Sequence, residues 1–106
     1  MDQSPRRARP VLAPASRPLL ARHVRLRFDA TRERWVILAP ERVLVPDEIS
    51  VEVLQLCDGQ RSIDDVVAVL AAKFAAPPEL IQTDCIALLQ DLADKGYLLD
   101  KAETQT

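Results

Sequence analysis

The chain of 106 residues is poor in the residues on which most catalytic and metal-binding sites depend. It has two glycines, two cysteines and a single histidine, His23. Two glycines are too few for the Gly-rich loops that cradle phosphates or dinucleotides. Cys57 and Cys85 are 28 positions apart and lack the closely spaced Cys or His pairs of a zinc site. We therefore expect a binding protein that is not an enzyme, with no cofactor and no metal.

Long apolar runs are also missing. The longest, such as residues 35–40, fall far short of the roughly 18 residues needed to cross a bilayer. The arginines near the N-terminus are not followed by the apolar segment of a secretory signal. We expect no membrane contact and a cytoplasmic location. Because 48% of the residues are apolar and 28% are charged, the composition is typical of a folded protein, and the length predicts one domain.

Charge is distributed unevenly along the chain. Residues 1–34 contain nine arginines against three acidic residues, and residues 35–106 contain five basic residues against thirteen acidic ones. Four prolines up to Pro18 exclude a helix or a central strand at the N-terminus. We expect residues 1–18 to form a disordered arm, residues 19–100 to form the folded domain, and residues 101–106 to form a flexible tail.

Three short segments have the pattern of β-strands. Residues 23–29 alternate apolar and charged side chains, and residues 35–38 and 43–45 are short apolar runs, each followed by proline within two residues. Since consecutive strands usually pair as neighbours, the segments predict an antiparallel meander with the third strand at an edge. Phe28 and Trp35 are predicted to be core aromatics because each lies within a strand pattern.

After residue 46 the apolar spacing becomes helical. Asp47 is placed to cap a first helix, Ser62-Ile63-Asp64-Asp65 has the capping-box pattern of a second, and Pro77-Pro78 can open a third. Three strands followed by three helices predict an α+β fold. The helices would lie on one side of a three-stranded antiparallel sheet, in a winged helix-turn-helix-like arrangement.

The third strand and the third helix are the candidate binding elements. An edge strand leaves backbone groups unpaired, and a peptide can complete them by adding a strand of its own. At roughly 100° per residue, the third helix directs four apolar residues into the core, with Leu89 on the border of that face and Ile86 outside it; the four are Ile81, Cys85, Leu88 and Leu92. Ile86, Leu89 and Ala93 could then line a groove whose floor is the third strand. The spacing equally allows an unpaired edge that binds nothing and an isolated exposed isoleucine.

Winged helices commonly bind DNA, and the charge of the helices tests this alternative. A DNA-reading helix needs Lys and Arg to contact phosphates and base edges. The predicted second and third helices contain only Lys73 and Lys95, against six acidic residues: Asp64, Asp65, Glu79, Asp84, Asp91 and Asp94. We therefore expect no nucleic-acid partner.

Three segments resemble the PqqD family of pyrroloquinoline quinone biosynthesis. They are residues 22–29 (RHVRLRFD), 35–42 (WVILAPER) and 57–59 (CDG), within a region from about Pro18 to Leu99. The resemblance implies a peptide chaperone of the RiPP recognition element type, where RiPP denotes a ribosomally synthesized and post-translationally modified peptide. It implies a winged-helix-like fold without a catalytic centre, which holds the precursor peptide PqqA and presents it to the radical SAM enzyme PqqE. Residues 45–48 are less apolar than this family leads us to expect.

The resemblance also implies a binding site on this chain. The docking strand would be Arg42-Val43-Leu44-Val45, which agrees with the edge-strand interpretation. The facing wall on the third helix would comprise Ile86, Leu89, Gln90 and Ala93, assigned from helical periodicity. A recognition element for a different ribosomal peptide is the alternative function, and the open sheet edge also allows a homodimer.

Overall fold

The computed structural model describes residues 10–102 of the chain. It contains five strands and three helices, whose order along the chain is β1 (Pro18–Leu20), β2 (Arg25–Asp29), β3 (Arg34–Ala39), β4 (Arg42–Leu44), α1 (Glu48–Gln55), α2 (Ile63–Phe74), α3 (Pro78–Asp94) and β5 (Leu98–Asp100). One antiparallel sheet has the order β2-β3-β4, and a second pairs β1 with β5. The predicted α+β class, with a meander followed by three helices, is confirmed.

The meander turns one apolar row towards the helices. Leu26, Ile37 and Leu44 are opposite one another across the three strands. Ile37 is buried, and its two neighbours pack against the same core. The two-residue turn between β3 and β4 combines Pro40 with a positive φ of 60° at Glu41, which is the pattern of a type II turn. This turn sets the register in which β4 pairs with β3.

Side-chain caps begin the first two helices where the sequence predicts them. The backbone N–H of Ser50 donates to the carboxylate of Asp47 at 2.7 Å, which caps α1. At α2 the Asp65 N–H donates to Ser62 Oγ, and the Ser62 N–H donates to the Asp65 carboxylate, both at 3.0 Å. This reciprocal pair is the predicted capping box. α3 begins with Pro78 in its first turn.

The segment of residues 10–17 packs against the domain, which differs from the expected arm. Leu12 and Ser16 are buried. The carbonyls of Ser16 and Pro14 accept the backbone N–H groups of Ile63 and Asp64 at 2.8 and 3.0 Å. Proline keeps its carbonyl acceptor, so a proline-rich segment that cannot form a helix can still satisfy the free donors of a helix N-terminus. Residues 1–9 of the expected arm lie outside the described residues, as do residues 103–106 of the expected tail.

β1 and β5 lie near the two ends of the chain and pair with each other. Pro18, Leu19 and Leu20 pair with Asp100, Leu99 and Leu98 in that order, and Leu98 is completely buried. Neither strand was predicted, because three residues are too few to show an alternating pattern. Within residues 10–102 no helix has both the length and the apolar character that a membrane span requires.

Candidate peptide-binding site

β4 is the terminal strand of the meander, as predicted. Its one neighbour in the sheet is β3, and within residues 10–102 no strand covers its outer edge. Arg42, Val43 and Val45 are exposed, whereas Leu44 is half-buried against the core. The predicted docking strand Arg42–Val45 therefore lies on an open sheet edge.

The hydrogen-bond pattern of the hairpin identifies which backbone groups face this edge. Ala39 and Arg42 flank the two-residue turn and form the pair that closes the hairpin. In antiparallel strands, pairs that exchange hydrogen bonds alternate with pairs that do not. Arg42 and Leu44 therefore direct their N–H and C=O groups towards β3. Val43, between them, directs its own N–H and C=O groups outwards, where a guest strand would pair.

A groove of about 520 Å³ opens where β4 leads into α1. It lies between the first turn of α1, the end of α2 and the first half of α3. Its wall is mostly apolar and is formed by Asp47, Ile49, Ser50, Val53, Leu70, Phe74, Ile81, Asp84, Cys85 and Leu88. Such a groove suits side chains of an extended segment that continues past the end of β4.

The α3 wall of this groove is not the one that periodicity predicted. Leu89 and Ala93 have 0% exposure and belong to the core, so a guest cannot reach them in this conformation. α3 instead presents Ile81, Asp84 and Leu88 to the groove. Ile86 is half-buried and packs against the core. The predicted wall was wrong at Leu89 and Ala93 because β5 also packs on α3 and extends the buried face of the helix beyond the predicted stripe.

Gln90 makes hydrogen bonds to the backbone of this chain's own N-terminal segment, at Pro10 and Leu12. The N–H of Leu12 donates to Gln90 Oε1 at 2.8 Å, and Gln90 Nε2 donates to the carbonyl of Pro10 at 2.8 Å. The same Nε2 donates to a carboxylate oxygen of Asp94 at 2.9 Å. Since Gln90 is two residues beyond Leu88, it lies on the opposite side of α3 from the groove.

Neither the groove residues Asp47 and Cys85 nor the core residue Cys57 is suited to nucleophilic chemistry. The N–H of Ser50 lowers the pKa of Asp47, which is therefore ionised at neutral pH. Burial raises the pKa of Cys85, and burial together with nearby Cys85 and Asp58 raises the pKa of Cys57 to about 12. Both thiols are therefore protonated at neutral pH and are poor nucleophiles. No group of three or more His, Cys, Asp or Glu placed to hold a metal ion occurs within the described part of the chain.

Fold and site together define a small winged-helix-like domain with an open strand edge beside an apolar groove. The family model of coenzyme PQQ synthesis protein D (PqqD) matches residues 34–98. A PqqA binding protein of Bradyrhizobium diazoefficiens is 68% identical over 89 residues, which cover 84% of this chain and 86% of that protein. One from Gluconobacter oxydans is 40% identical and covers 74% of this chain and 81% of its own length. The chain belongs to the PqqD family.

Two solved structures of family members are similar to this one. The solution NMR structure of the PqqD truncation of Methylobacterium extorquens PqqCD has a TM-score of 0.72 and 38% identity, and covers 82% of this chain and 93% of that one. It is described as a functional, stand-alone RiPP recognition element. The crystal structure of PqqD from Xanthomonas campestris has a TM-score of 0.51 and 41% identity, with 80% and 94% covered. The predicted family and fold class are thereby confirmed.

Proposed function

We propose that this chain is a peptide chaperone that binds the ribosomal precursor peptide PqqA and presents it to the radical SAM enzyme PqqE, without making or breaking bonds itself. The name PqqA binding protein at 68% identity is the observation that supports the guest. The open edge of β4 supports the mode of binding, because a free PqqA segment can add to it as a further antiparallel or parallel strand.

The energetics of this binding mode set what the site must provide. Ordering a flexible peptide costs about 1–2 kcal/mol of backbone entropy per residue. The outward N–H and C=O of Val43 would pair with the guest backbone. The exposed side chain of Val43 and the apolar wall of the groove, including Ile49, Ile81 and Leu88, would bury guest side chains. Main-chain bonds would then supply affinity, and the groove would supply selectivity.

The small size of the chain and the proposed binding mode support the carrier role. A guest held as a strand on a small rigid domain presents one fixed conformation to an enzyme. Association of that domain with the enzyme raises the local concentration of the guest. We place this step in the cytoplasm, where a ribosomal peptide is made, and assign no cofactor to the chain.

Replacing Val43 with proline tests the strand model. Proline removes the N–H that faces the open edge and leaves both β3-facing residues of β4 intact, and edge positions of this kind tolerate proline. Leu44→Pro would instead remove a bond to β3 and disturb the hairpin. We expect Val43→Pro to weaken PqqA binding by up to about tenfold, because the guest loses one backbone hydrogen bond. Isothermal titration calorimetry with PqqA measures it.

Val43→Thr is the matched control, since threonine keeps the N–H and the β-branched shape. It should bind PqqA with an affinity within about twofold of the parent. Amide spectra of each variant check that the fold is retained. Equal affinity of a folded Val43→Pro variant would refute strand addition at β4. A parent protein that does not bind PqqA would refute the guest and favour another ribosomal peptide.

A further inference from the structure

Three of the four aromatic side chains of the chain line one groove. This aromatic groove, of about 490 Å³, is lined by Phe28 and Trp35 of the β2–β3 hairpin, Ile49 of α1 and Phe74 at the end of α2. The rings of Phe28 and Trp35 meet edge to face, with centroids 5.6 Å apart. The aromatic groove lies near the turn that joins β2 to β3, and Val43 does not line it.

Three apolar side chains of the aromatic groove are exposed to water, and Trp35 is half-buried. Phe28 is 48% exposed, Ile49 is 52% exposed and Phe74 is 41% exposed. The sequence predicted Phe28 to be a core aromatic. Large apolar side chains that cluster at the surface, with polar groups around them, are typical of a protein interaction site.

The charges around the groove indicate the chemistry of the partner. Glu33, Glu48 and Glu52 line it, against a single basic residue, Arg34. Glu52 is paired with Lys73 at 2.7 Å. Among residues 10–102, Glu33 and Glu48 make no ion pair. A cation would therefore meet two uncompensated carboxylates beside aromatic faces, which themselves attract cations.

One aromatic ring of the groove already has a cation near its face. The Lys73 Nζ lies 5.6 Å from the centroid of the Phe74 ring. The rings of Phe28 and Trp35 have no such neighbour in the described part of the chain. They lie beside Glu33 in the same groove, so this end is the better place for a partner's arginine or lysine.

We propose that the aromatic groove binds a basic, apolar segment of a partner protein, whose arginine or lysine lies against Phe28 and Trp35 and faces Glu33 and Glu48. The acidic wall excludes nucleic acid. The groove shares Ile49 and Phe74 with the groove beside β4, so the partner would lie next to a guest held on β4 without covering the strand edge. This surface goes beyond the proposed PqqA binding and does not depend on it.

Trp35 is the single tryptophan of the chain and reports directly on this groove. The probe is a short synthetic peptide of arginine and leucine, compared with the same peptide carrying glutamate in place of arginine. The arginine peptide should change the Trp35 emission in a saturable, salt-sensitive way, and the glutamate peptide should not. The double variant Glu33→Gln/Glu48→Gln should weaken the arginine peptide about fivefold, whereas the control Glu79→Gln, on the exposed first turn of α3, should not.

Three results of this comparison would overturn the proposal. They are an absent Trp35 response, an equal response to the glutamate peptide, and an equal loss in Glu79→Gln. A changed Trp35 emission after deletion of residues 1–9 would also overturn it, since the occupant would then be this chain's own arginines. The experiment needs no PqqA to give its main result, so failure of the proposed guest and failure of this surface are distinguishable.

Discussion

At the scale of single residues, Gln90 shows how one amide can fix a segment without regular structure. Its side chain accepts from one residue and donates to the carbonyl two residues earlier, so it satisfies an extended backbone on both sides. Leu12, whose N–H makes one of these bonds, is buried in the core. The sequence predicted Gln90 as a contact for the guest peptide. Its observed partners make it the residue that ties Pro10–Leu12 to α3.

Gln90→Ala should lower the free energy of unfolding by about 1–2 kcal/mol, because two partly buried backbone groups lose their partners. Urea unfolding measures the change, and faster hydrogen exchange at the Leu12 amide locates it. Gln82→Ala is the control, since Gln82 makes an exposed bond to Asp64 and its loss should cost less than about 0.5 kcal/mol. PqqA affinity should stay the same. A large loss of affinity would place Gln90 in the guest site after all.

The two cysteines predict a loss of stability in alkali. Burial raises the pKa of Cys57 from 9.0 to about 12 and also raises that of Cys85. The unfolded chain has thiols of ordinary pKa, so above pH 9 unfolding releases protons. These thiols therefore leave the free energy of unfolding unchanged below pH 9 and lower it as the pH rises from 9 towards 12.

Urea unfolding at a series of pH values tests this effect. The double variant Cys57→Ala/Cys85→Ala should lose stability less steeply above pH 9, by up to about 1.4 kcal/mol per pH unit for each thiol. Alanine leaves a cavity that lowers stability at every pH, so the slopes are compared and not the absolute values. Parallel slopes for parent and variant would show that the thiols do not titrate on unfolding.

At the scale of elements, the sequence predicted those parts whose signals are local. Asp47 and Ser62 cap their helices as their residue types and spacing indicate. The alternation of apolar and charged residues in β2 and the prolines after β3 and β4 predicted the meander and its open edge. Each of these signals acts within about four residues, so neighbours in sequence determine the outcome.

Local signals could not predict which side chains of α3 are buried and which line the groove. A helical wheel gives the direction of the apolar side chains relative to one another, but what packs on each side decides which of them are buried. Ala93 is fully buried although it lies far from Ile81 on the wheel, and β5 packs against this helix. β5 was too short to detect, and the N-terminal segment was interpreted as an arm. The strand half of the candidate site was therefore predictable, and the helix half required the tertiary structure.

At the scale of the whole molecule, residues 10–20 contact three elements of the domain, which are α2, α3 and β5. Residues 14 and 16 accept bonds from the first turn of α2, Leu12 bonds to α3, and β1 pairs with β5 at the far end of the chain. The capping box satisfies only some of the free N–H groups of α2. The segment satisfies the N–H groups of Ile63 and Asp64, which otherwise would face water.

Deleting residues 1–17 should therefore destabilise the whole domain, and deleting residues 1–9 should not. The longer deletion exposes the space filled by Leu12, worth about 2 kcal/mol of apolar burial, and removes acceptors worth about 1 kcal/mol each. For a domain of this size we expect the Tm to fall by at least about 10 °C, whereas removal of residues 1–9 should change it by less than about 2 °C. Calorimetry of both variants measures the difference. Equal Tm values would mean that residues 10–17 contribute nothing to the fold, and that the domain begins at β1.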